Sequence, residues 1–430
     1  MSSNTIGIII LLGGFLGLMA LRVPIAFALG LSSLATAWYL GVPSLLVAQR
    51  MVNGLYSFTF LAVPFFILAG QIMSEGGISE RLVRFADIIV GRIRGGLAQV
   101  NIFASTLFGG ISGSSVADVA SIGSFLIPAM VKRGYKPEYA VAVTVTSSVQ
   151  GVLIPPSQNM IYYALAAGGL PIGQLFLAGY LPGVLLGLAL MVLAYVLAVR
   201  QNHPAGTRYG WREGLKTAID ASIGLFTMVI IVGGIVAGIF TATESAAVAV
   251  VYALLVTVFV YKTMDRAAIL RVLRESLGTL AMVIAIIMTS SAFGFLLSYL
   301  KVPALLAEAI FMVSREPWVV LLAINALLIV LGMLMDMGVL ILILTPILLP
   351  IVKSIGVDPI HFGVVLLINL GIGLCTPPVG TSLIVGCSIA PTSIERTTRV
   401  LVPFYVVMIA VLMFVTYVPA LSLGLPSLFR

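Results

Sequence analysis

Long apolar runs recur from one end of the chain to the other, and short segments that carry charges separate them. A membrane-spanning helix needs about 20 predominantly apolar residues to cross a hydrocarbon core of about 30 Å. The runs predict spanning helices at about 5–21, 24–41, 55–74, 138–168, 174–199, 221–241, 244–261, 277–299, 360–390 and 400–425. This pattern predicts an all-α polytopic membrane protein with about ten spanning helices.

Two further apolar stretches, 97–131 and 317–352, are too long for one helix and too interrupted for two full spans. The first has basic residues at both ends, such as Arg92 before it and Lys132 after it. Because basic residues concentrate on the cytoplasmic side of a membrane, we expect both ends of this stretch on that side. We interpret both stretches as re-entrant helical hairpins.

Composition agrees with a membrane protein and excludes a soluble one. The chain of 430 residues is 60% apolar and 9% charged, with a mean hydropathy of +1.18, whereas a soluble domain carries roughly 25% charged residues. If the N-terminus is outside, 18 of the 23 Lys and Arg residues fall on the cytoplasmic side. We therefore expect both termini in the periplasm, and we read the net charge of +8 as a sign of topology and not of a nucleic-acid partner.

Gly and Pro motifs recur at a constant distance of 222 residues, which relates Gly110 to Gly332 and Pro155 to Pro377. Because these residue types dictate backbone geometry, the recurrence indicates two structural copies, 1–220 and 221–430, and the charges predict that they are inverted. The first copy has scaffold spans at 1–96, a hairpin at 97–131, a broken helix at 138–168 and a span at 174–199. The second has scaffold spans at 221–299, a hairpin at 317–352, a broken helix at 360–390 and a span at 400–425.

Polar and helix-breaking residues interrupt the apolar pattern at four places, 109–118, 155–159, 332–338 and 376–382. A Pro-Pro pair removes two amide donors, and the carbonyl groups that it frees persist at membrane depth where they line a cavity or bind a ligand. Such carbonyls suit Na⁺, and the N-terminus of the helix that resumes favours a carboxylate. The four segments together predict a sodium-coupled anion site near the bilayer midplane.

Structural roles compete with this interpretation. Proline kinks are common in membrane helices, and the serines of the first hairpin tip would also allow close helix packing. An intramembrane carboxylate indicates function, and on this ground Asp336 ranks above Asp118, which is alternatively a capping or internally paired group. Asn101 and Asn325, on the first arms of the hairpins, are either structural clamps or ligand contacts.

Enzyme signatures are absent from the sequence. It contains no Gly-x-x-x-x-Gly-Lys loop for ATP, and Ser112 does not fit the Gly-x-Ser-x-Gly pattern of a nucleophilic serine. His203 and His361, the two histidines, are not near other potential metal ligands along the chain. We therefore expect neither an enzyme nor an ATP-binding protein.

Six segments closely resemble the large membrane subunit of tripartite ATP-independent periplasmic (TRAP) transporters, namely 64–70, 110–118, 132–139, 154–157, 238–247 and 376–378. The resemblance covers the whole chain. It implies Na⁺-driven uptake of organic anions, such as C4-dicarboxylates or sialic acid, by an elevator-type fold and mechanism in the bacterial inner membrane. It also implies two protein partners, a periplasmic binding protein that delivers the substrate and a small four-span membrane subunit, which we expect as a separate chain.

On this basis we expect Na⁺ between each hairpin tip and its broken helix, and the substrate between the two tips. The expected Na⁺ ligands are Ser112, Ser114, Ser115, Pro155, Pro156, Gly332, Met335, Asp336, Gly338, Thr376, Pro377 and Gly380. The expected substrate-binding residues are Ser115, Ser157, Gln158, Asn159, Asp336 and Thr381.

Two other functional classes remain open at this point. One is a membrane-embedded enzyme, and the other is a stand-alone symporter or exchanger that needs no binding protein. Neither a sialic acid nor a dicarboxylate substrate leaves a readable signature in the chain, and between the two we favour a sugar acid such as sialic acid.

Overall fold

The computed structural model of the chain describes residues 3–56, 58–206 and 210–429. In these ranges the regular structure is helical, apart from one isolated antiparallel bridge between Arg94 and Ala205. The prediction of an all-α protein is therefore confirmed. Arg208 and Arg430, two of the basic residues in the predicted charge distribution, lie outside the described residues.

Ten helices cover the described part of the chain up to residue 200. They are α1 (Ser3–Ala20), α2 (Ile25–Tyr39), α3 (Ser44–Asn53), α4 (Ala62–Glu75), α5 (Ile78–Val90), α6 (Gly96–Ser112), α7 (Ser115–Lys132), α8 (Pro137–Leu153), α9 (Gln158–Ala166) and α10 (Ile172–Arg200). The helices α8 and α9 meet at a bend of 50°.

Ten more helices follow from residue 211 onwards. They are α11 (Trp211–Val236), α12 (Ala242–Val260), α13 (Arg266–Tyr299), α14 (Val302–Val313), α15 (Pro317–Gly332), α16 (Met337–Ser354), α17 (Pro359–Leu374), α18 (Thr381–Ile389), α19 (Ile394–Tyr417) and α20 (Ala420–Leu428). The two sets agree closely where the predicted hairpins lie, since α7 and α16 both start and end 222 residues apart (337 − 115 and 354 − 132). This agreement supports the internal repeat, and its inversion across the membrane stays a prediction.

Eight of the described helices are long and apolar enough to cross a membrane, or up to ten if each bent pair is one span. This range agrees with the predicted number. Two of the eight, α7 and α16, are the second arms of the predicted hairpins, and each has 18 residues. Length alone therefore does not separate a hairpin arm from a span.

Two predicted spans are shorter helices than the apolar runs indicated. The run at 24–41 forms α2, which has 15 residues, and the run at 55–74 forms α4, which has 14. Both fall short of the roughly 20 residues that cross a bilayer in one straight helix. A 3₁₀ turn at Phe58–Leu61 precedes α4, so part of that apolar run is used in a tighter turn.

Two other predicted spans have different ends. The run at 277–299 belongs to α13, which begins at Arg266 and has 34 residues, because the side chain of Asp265 accepts a hydrogen bond from the amide of Ala268 and caps the helix there. The run at 400–425 is divided, since α19 ends at Tyr417 and Pro419 precedes α20. A proline lacks the amide proton that would continue the helix.

The charged segment after α4 contains a helix, α5, that the apolar pattern did not reveal. Ile78, Leu82 and Ala86, four residues apart, are buried, and Glu80 and Arg84 are exposed. This is the spacing of an amphipathic helix that buries one stripe. A search for continuous apolar runs misses such a helix because half of its surface is polar.

The interior of the molecule is built from the hairpins and the broken helices. From Ile360 to Leu374, α17 is buried along its whole length, and α8 is buried from Tyr139 to Leu153. The helices α2, α3, α4 and α16 pack against the long helix α13. Large apolar side chains remain exposed on the outside, among them Leu16, Trp38 and Phe259, as expected for a surface that faces lipid or a membrane partner.

Candidate functional site

The tip of the first hairpin packs directly on the break in the first broken helix. Gly113, between α6 and α7, has a positive φ of 62°, and a Cβ there would lie 2.8 Å from the carbonyl oxygen of Pro156. The side-chain amide of Asn159 donates a hydrogen bond of 3.2 Å to the carbonyl oxygen of Gly113. Only glycine fits this close approach of two backbones, which explains the Gly in the first tip.

The second tip meets the second break in a similar way. Gly332, at the end of α15, touches Gly373 of α17, where a Cβ would lie 2.5 Å from the carbonyl carbon of Gly332. The amide of Val379 donates a hydrogen bond of 3.1 Å to the carbonyl oxygen of Met333. In both halves, then, a hairpin tip contacts the backbone at a Pro-Pro break.

The second arm of each hairpin begins with a capping side chain. Ser114 accepts a hydrogen bond from the amide of Ala117 at the start of α7, and Asp336 accepts one of 2.9 Å from the amide of Gly338 at the start of α16. The two caps are 222 residues apart (336 − 114). The same local position therefore carries a hydroxyl in one half and a carboxylate in the other, and Asp336 is exposed.

A hydroxyl cluster joins the two halves. The Ser115 Oγ lies 2.6 Å from the Ser148 Oγ on α8 and 2.8 Å from the Ser382 Oγ on α18. All three serines are buried. Ser115 and the 376–382 segment that contains Ser382 were predicted as part of the site, whereas Ser148 was not, because nothing in the sequence indicates that a serine of α8 and one of α18 meet at the same point.

Between the tips is a central cavity of about 160 Å³. Residues from α7, α9 and α16 line the cavity, and α13 forms one of its walls. These residues include Ser114, Ser115, Gln158, Asn159, Tyr162, Thr279, Met282, Ile286, Asp336, Met337 and Gly338. The cavity thus borders the N-terminal ends of three helices, each of which carries a positive partial charge. Thr279, on α13, and Tyr162, on α9, are polar lining residues that the sequence did not single out.

The other predicted site residues lie in a neighbouring cavity or in the backbone of the tips and breaks, or are buried beside them. Ser112 lines a neighbouring cavity, and Pro155, Pro156, Gly332, Thr376, Pro377 and Gly380 belong to the tip and break backbones. Met335 is buried at the second tip. Ser157 and Thr381, at the starts of α9 and α18, have buried hydroxyl oxygens without a hydrogen-bond partner among the described residues, and they are not among the residues that line the central cavity.

Larger cavities adjoin the central cavity on both sides, and polar residues are shared with the one on the side predicted to be cytoplasmic. A cavity of about 690 Å³ shares Ser114, Gln158 and Thr279 with the central cavity and extends to Glu75 and Glu275, on the side predicted to be cytoplasmic. A cavity of about 600 Å³ near Arg50 lies on the opposite side and shares Leu342 with the central one. The described arrangement therefore connects the centre to the predicted cytoplasmic side through polar residues.

The two asparagines on the first hairpin arms act as clamps. The Asn101 side-chain amide donates a hydrogen bond of 2.6 Å to the Thr144 Oγ1, which ties α6 to α8. The Asn369 side-chain amide donates one of 2.8 Å to the Asn325 Oδ1, and Asn325 donates one of 3.1 Å to the Thr416 Oγ1. Both asparagines are buried, so the geometry favours the clamp over ligand contact.

The side chains of the two histidines contact residues of neighbouring segments. The ring of His203, in the loop after α10, lies 4.3 Å from the ring centre of Tyr135 and 4.9 Å from that of Tyr139, and burial lowers the pKa of His203. The Nδ1 of His361 lies 2.6 Å from the Ser422 Oγ, and the Nε2 lies 3.1 Å from the Thr416 carbonyl oxygen. Both rings tie neighbouring segments together.

The fold and this site define a polytopic membrane protein of the transporter class, in which two hairpins and two broken helices enclose a small polar cavity. Residues 12–421 match the family described as the tripartite ATP-independent periplasmic transporter, DctM component. The chain belongs to this family and is a large membrane subunit of a TRAP transporter.

Curated relatives match the chain over nearly its full length. The C4-dicarboxylate TRAP transporter large permease protein DctM of Rhodobacter capsulatus is 37% identical, over 98% of this chain and 99% of the relative. The sialic acid TRAP transporter large permease protein SiaM of Vibrio cholerae is 38% identical, over 97% of both chains. Since relatives of equal similarity carry the names of different substrates, identity does not select one.

A solved structure has a similar fold. The YdaH transporter of Alcanivorax borkumensis, whose crystal structure was described as revealing an unusual topology, aligns with a TM-score of 0.60 over 85% of this chain and 86% of that chain. Its sequence is 15% identical, so the likeness concerns the fold.

Proposed function

We propose that the chain carries out Na⁺-coupled uptake of a small organic anion. The observation that supports this most directly is the central cavity, which both hairpin tips and three helix N-termini border. None of its described lining residues is Lys or Arg. Because a helix N-terminus carries about half a positive charge, these helix ends supply the positive potential that a substrate carboxylate needs.

In this proposal Na⁺ binds behind each tip, where the hairpin meets the broken helix. The Pro156 carbonyl lies against Gly113 in the first half, and the Thr376 carbonyl lies against Gly380 in the second. The unpartnered hydroxyls of Ser157 and Thr381 are buried next to these breaks. Such oxygen atoms lack a protein donor, and a hard monovalent cation would satisfy them.

The hairpins and broken helices form the moving unit in the proposed elevator mechanism. They share the buried interior, whereas α13 contributes the wall of Thr279, Met282 and Ile286 on one side of the cavity. Movement of this unit along α13 would transfer the cavity from one side of the membrane to the other. The coupling ions and the substrate would travel together because the tips that hold them belong to the same unit.

Two protein partners complete the proposed transporter. The family is defined as tripartite and periplasmic, which indicates a periplasmic binding protein and a small membrane subunit beside the large one. We propose that the small subunit is a separate four-span chain. The exposed apolar side chains on the outside of the helices are compatible with a membrane partner or with lipid.

The size of the cavity favours a small substrate. Its volume of about 160 Å³ is below the roughly 300–1,000 Å³ of pockets for drug-sized ligands. A four-carbon dicarboxylate is much closer to this size than a nine-carbon sugar acid. The geometry therefore favours the smaller of the two substrate classes over the sugar acid favoured by sequence.

Competition measures this preference. In proteoliposomes that contain both membrane subunits, we expect unlabelled C4-dicarboxylates, presented with the binding protein, to inhibit uptake of a labelled C4-dicarboxylate, and sialic acid to leave it unchanged at the same concentration. Direct calorimetry on the binding protein separates its selectivity from that of the membrane subunits. Uptake of sialic acid at rates equal to those of a dicarboxylate would contradict the size argument.

A further inference from the structure

The interior of the first hairpin contains a buried carboxylate that the central cavity does not use. Asp118 lies one helical turn after Ser115 on α7 and is fully buried, with an exposed fraction of 0%. Neither of its carboxylate oxygens accepts a hydrogen bond from a described residue. An unpaired buried carboxylate is costly unless a proton or a bound cation neutralises it.

A chain of side-chain oxygens begins beside this carboxylate. Ser105 of α6 is the polar side chain that faces Asp118, and the Ser105 Oγ lies 3.0 Å from the Ser147 Oγ. The Ser147 Oγ in turn donates a hydrogen bond of 3.2 Å to the Asn101 Oδ1. All of these residues are fully buried. Ser105 thus links Asp118 to buried oxygen atoms of α6 and α8.

No basic residue of the neighbouring helices is available to pair with Asp118. The helices α5, α6, α8 and α18 pack against α7. Of these, α5 carries basic residues, but Arg81 pairs with Asp220 and Arg84 is exposed. Lys132, on α7 itself, is 14 residues away, which is about 21 Å along a helix. Glu138, at the start of α8, has the same charge sign as Asp118. Asp118 is therefore neutralised either by a proton or by a cation from solution.

A route for such a cation runs through the hydroxyl cluster. Ser115 lines the central cavity and is three residues before Asp118, about 4.5 Å along the helix axis and on the same face. Its hydroxyl touches Ser148. The hydroxyl cluster thus lies between the cavity and the position of Asp118, one helical turn away.

We propose that Asp118, Ser105, Ser147 and Asn101 form a monovalent-cation site inside the first hairpin, in addition to the sites behind the two tips. The site takes a hard cation because all of its candidate ligands are oxygen atoms. This inference rests on the Na⁺ coupling proposed above. The bound ion neutralises Asp118 and ties both hairpin arms to α8, so the moving unit is rigid when it is loaded.

The test uses the purified complex of both membrane subunits and measures Na⁺ binding without transport. NaCl replaces choline chloride at constant ionic strength, and the thermal unfolding temperature and the heat of Na⁺ binding are recorded. Asp118→Asn keeps the side-chain shape and removes the charge. Thr146→Val is the matched control, because Thr146 is buried on α8 but its hydroxyl bonds to the Ala142 carbonyl of its own helix.

We expect Asp118→Asn to bind one Na⁺ fewer and to require about tenfold or more Na⁺ for half-maximal stabilisation, since even the loss of an outer-shell partner of a metal ligand costs roughly 10–100-fold in affinity. Thr146→Val should match the wild type. An unchanged Na⁺ titration of Asp118→Asn, in stoichiometry and in midpoint, would overturn the proposal and would leave Na⁺ coupling through the tip sites intact. A wild-type complex without any Na⁺ response would overturn both.

A second variant covers the case in which Asp118→Asn does not fold. Ser105→Ala keeps the carboxylate and removes one neighbouring oxygen. We expect it to bind the same number of Na⁺ ions as the wild type but with one of them weaker. If all the Na⁺ ions bind to Ser105→Ala as they bind to the wild type, Ser105 is not a ligand and the proposed site is refuted.

Discussion

Replacement of Asp336 by Ala should abolish Na⁺-driven uptake by the complete transporter. Asp336 is the carboxylate at the second hairpin tip, it lines the central cavity, and it caps α16 through the amide of Gly338. The substitution removes the cap, worth about 1 kcal/mol, and also the anionic oxygen atoms proposed to bind Na⁺. The second loss is the one expected to reduce uptake to background.

A matched variant separates the two losses. Asp358 caps α17 by the same geometry, since its Oδ1 accepts a hydrogen bond of 2.7 Å from the amide of Ile360, and it is not among the residues that line the central cavity. Asp358→Ala should lose about as much stability as Asp336→Ala and retain uptake. Uptake at the wild-type rate by Asp336→Ala, or an equal loss of uptake in both variants, would refute the role of the carboxylate.

Replacement of Ser115 by Ala is expected to be nearly as severe. The Ser115 hydroxyl lies within 2.8 Å of both Ser148 and Ser382, and it joins the first hairpin to a helix of each half. Its removal takes away the Ser115 contact of the buried Ser382 hydroxyl, at a cost of roughly 1–3 kcal/mol, and removes a proposed Na⁺ ligand. The Ser148 hydroxyl keeps its bond to the Val145 carbonyl. We expect substrate uptake in proteoliposomes to fall to background.

The control for Ser115→Ala is Ser388→Ala. Ser388 is likewise a helical serine, on α18. It is exposed, and its hydroxyl donates a hydrogen bond to the Val385 carbonyl of its own helix. Uptake by this variant should equal that of the wild type, with an unchanged unfolding temperature. If Ser115→Ala transports as fast as Ser388→Ala, the hydroxyl cluster has no part in the site.

Much of the architecture is readable from the sequence because glycine and proline act locally. The hairpin tips at Gly113 and Gly332 and the breaks at the two Pro-Pro pairs are positions where a backbone constraint decides the structure. The structure places tips and breaks together, as the repeat spacing predicted. The recurrence of motifs at a distance of 222 residues indicated which tip and break of one half correspond to those of the other half. A single motif does not indicate this.

Several features that the sequence did not reveal depend on contacts between residues that are far apart in the chain. Ser148 is an ordinary buried serine until the fold brings it to Ser115. Thr279 is one of several polar residues in a 34-residue helix. Helix α5 was missed because amphipathic helices lack a continuous apolar run. The volume of the central cavity was likewise hidden, since it depends on how three helix ends and α13 pack together.

The proposal that the central cavity is a Na⁺-coupled anion site has a direct test. It is uptake of a labelled C4-dicarboxylate by proteoliposomes that contain both membrane subunits, with the binding protein outside and an inward Na⁺ gradient. We expect accumulation that requires both the gradient and the binding protein. Equal accumulation with K⁺ in place of Na⁺ would contradict the coupling, and accumulation without the binding protein would indicate a stand-alone symporter or exchanger.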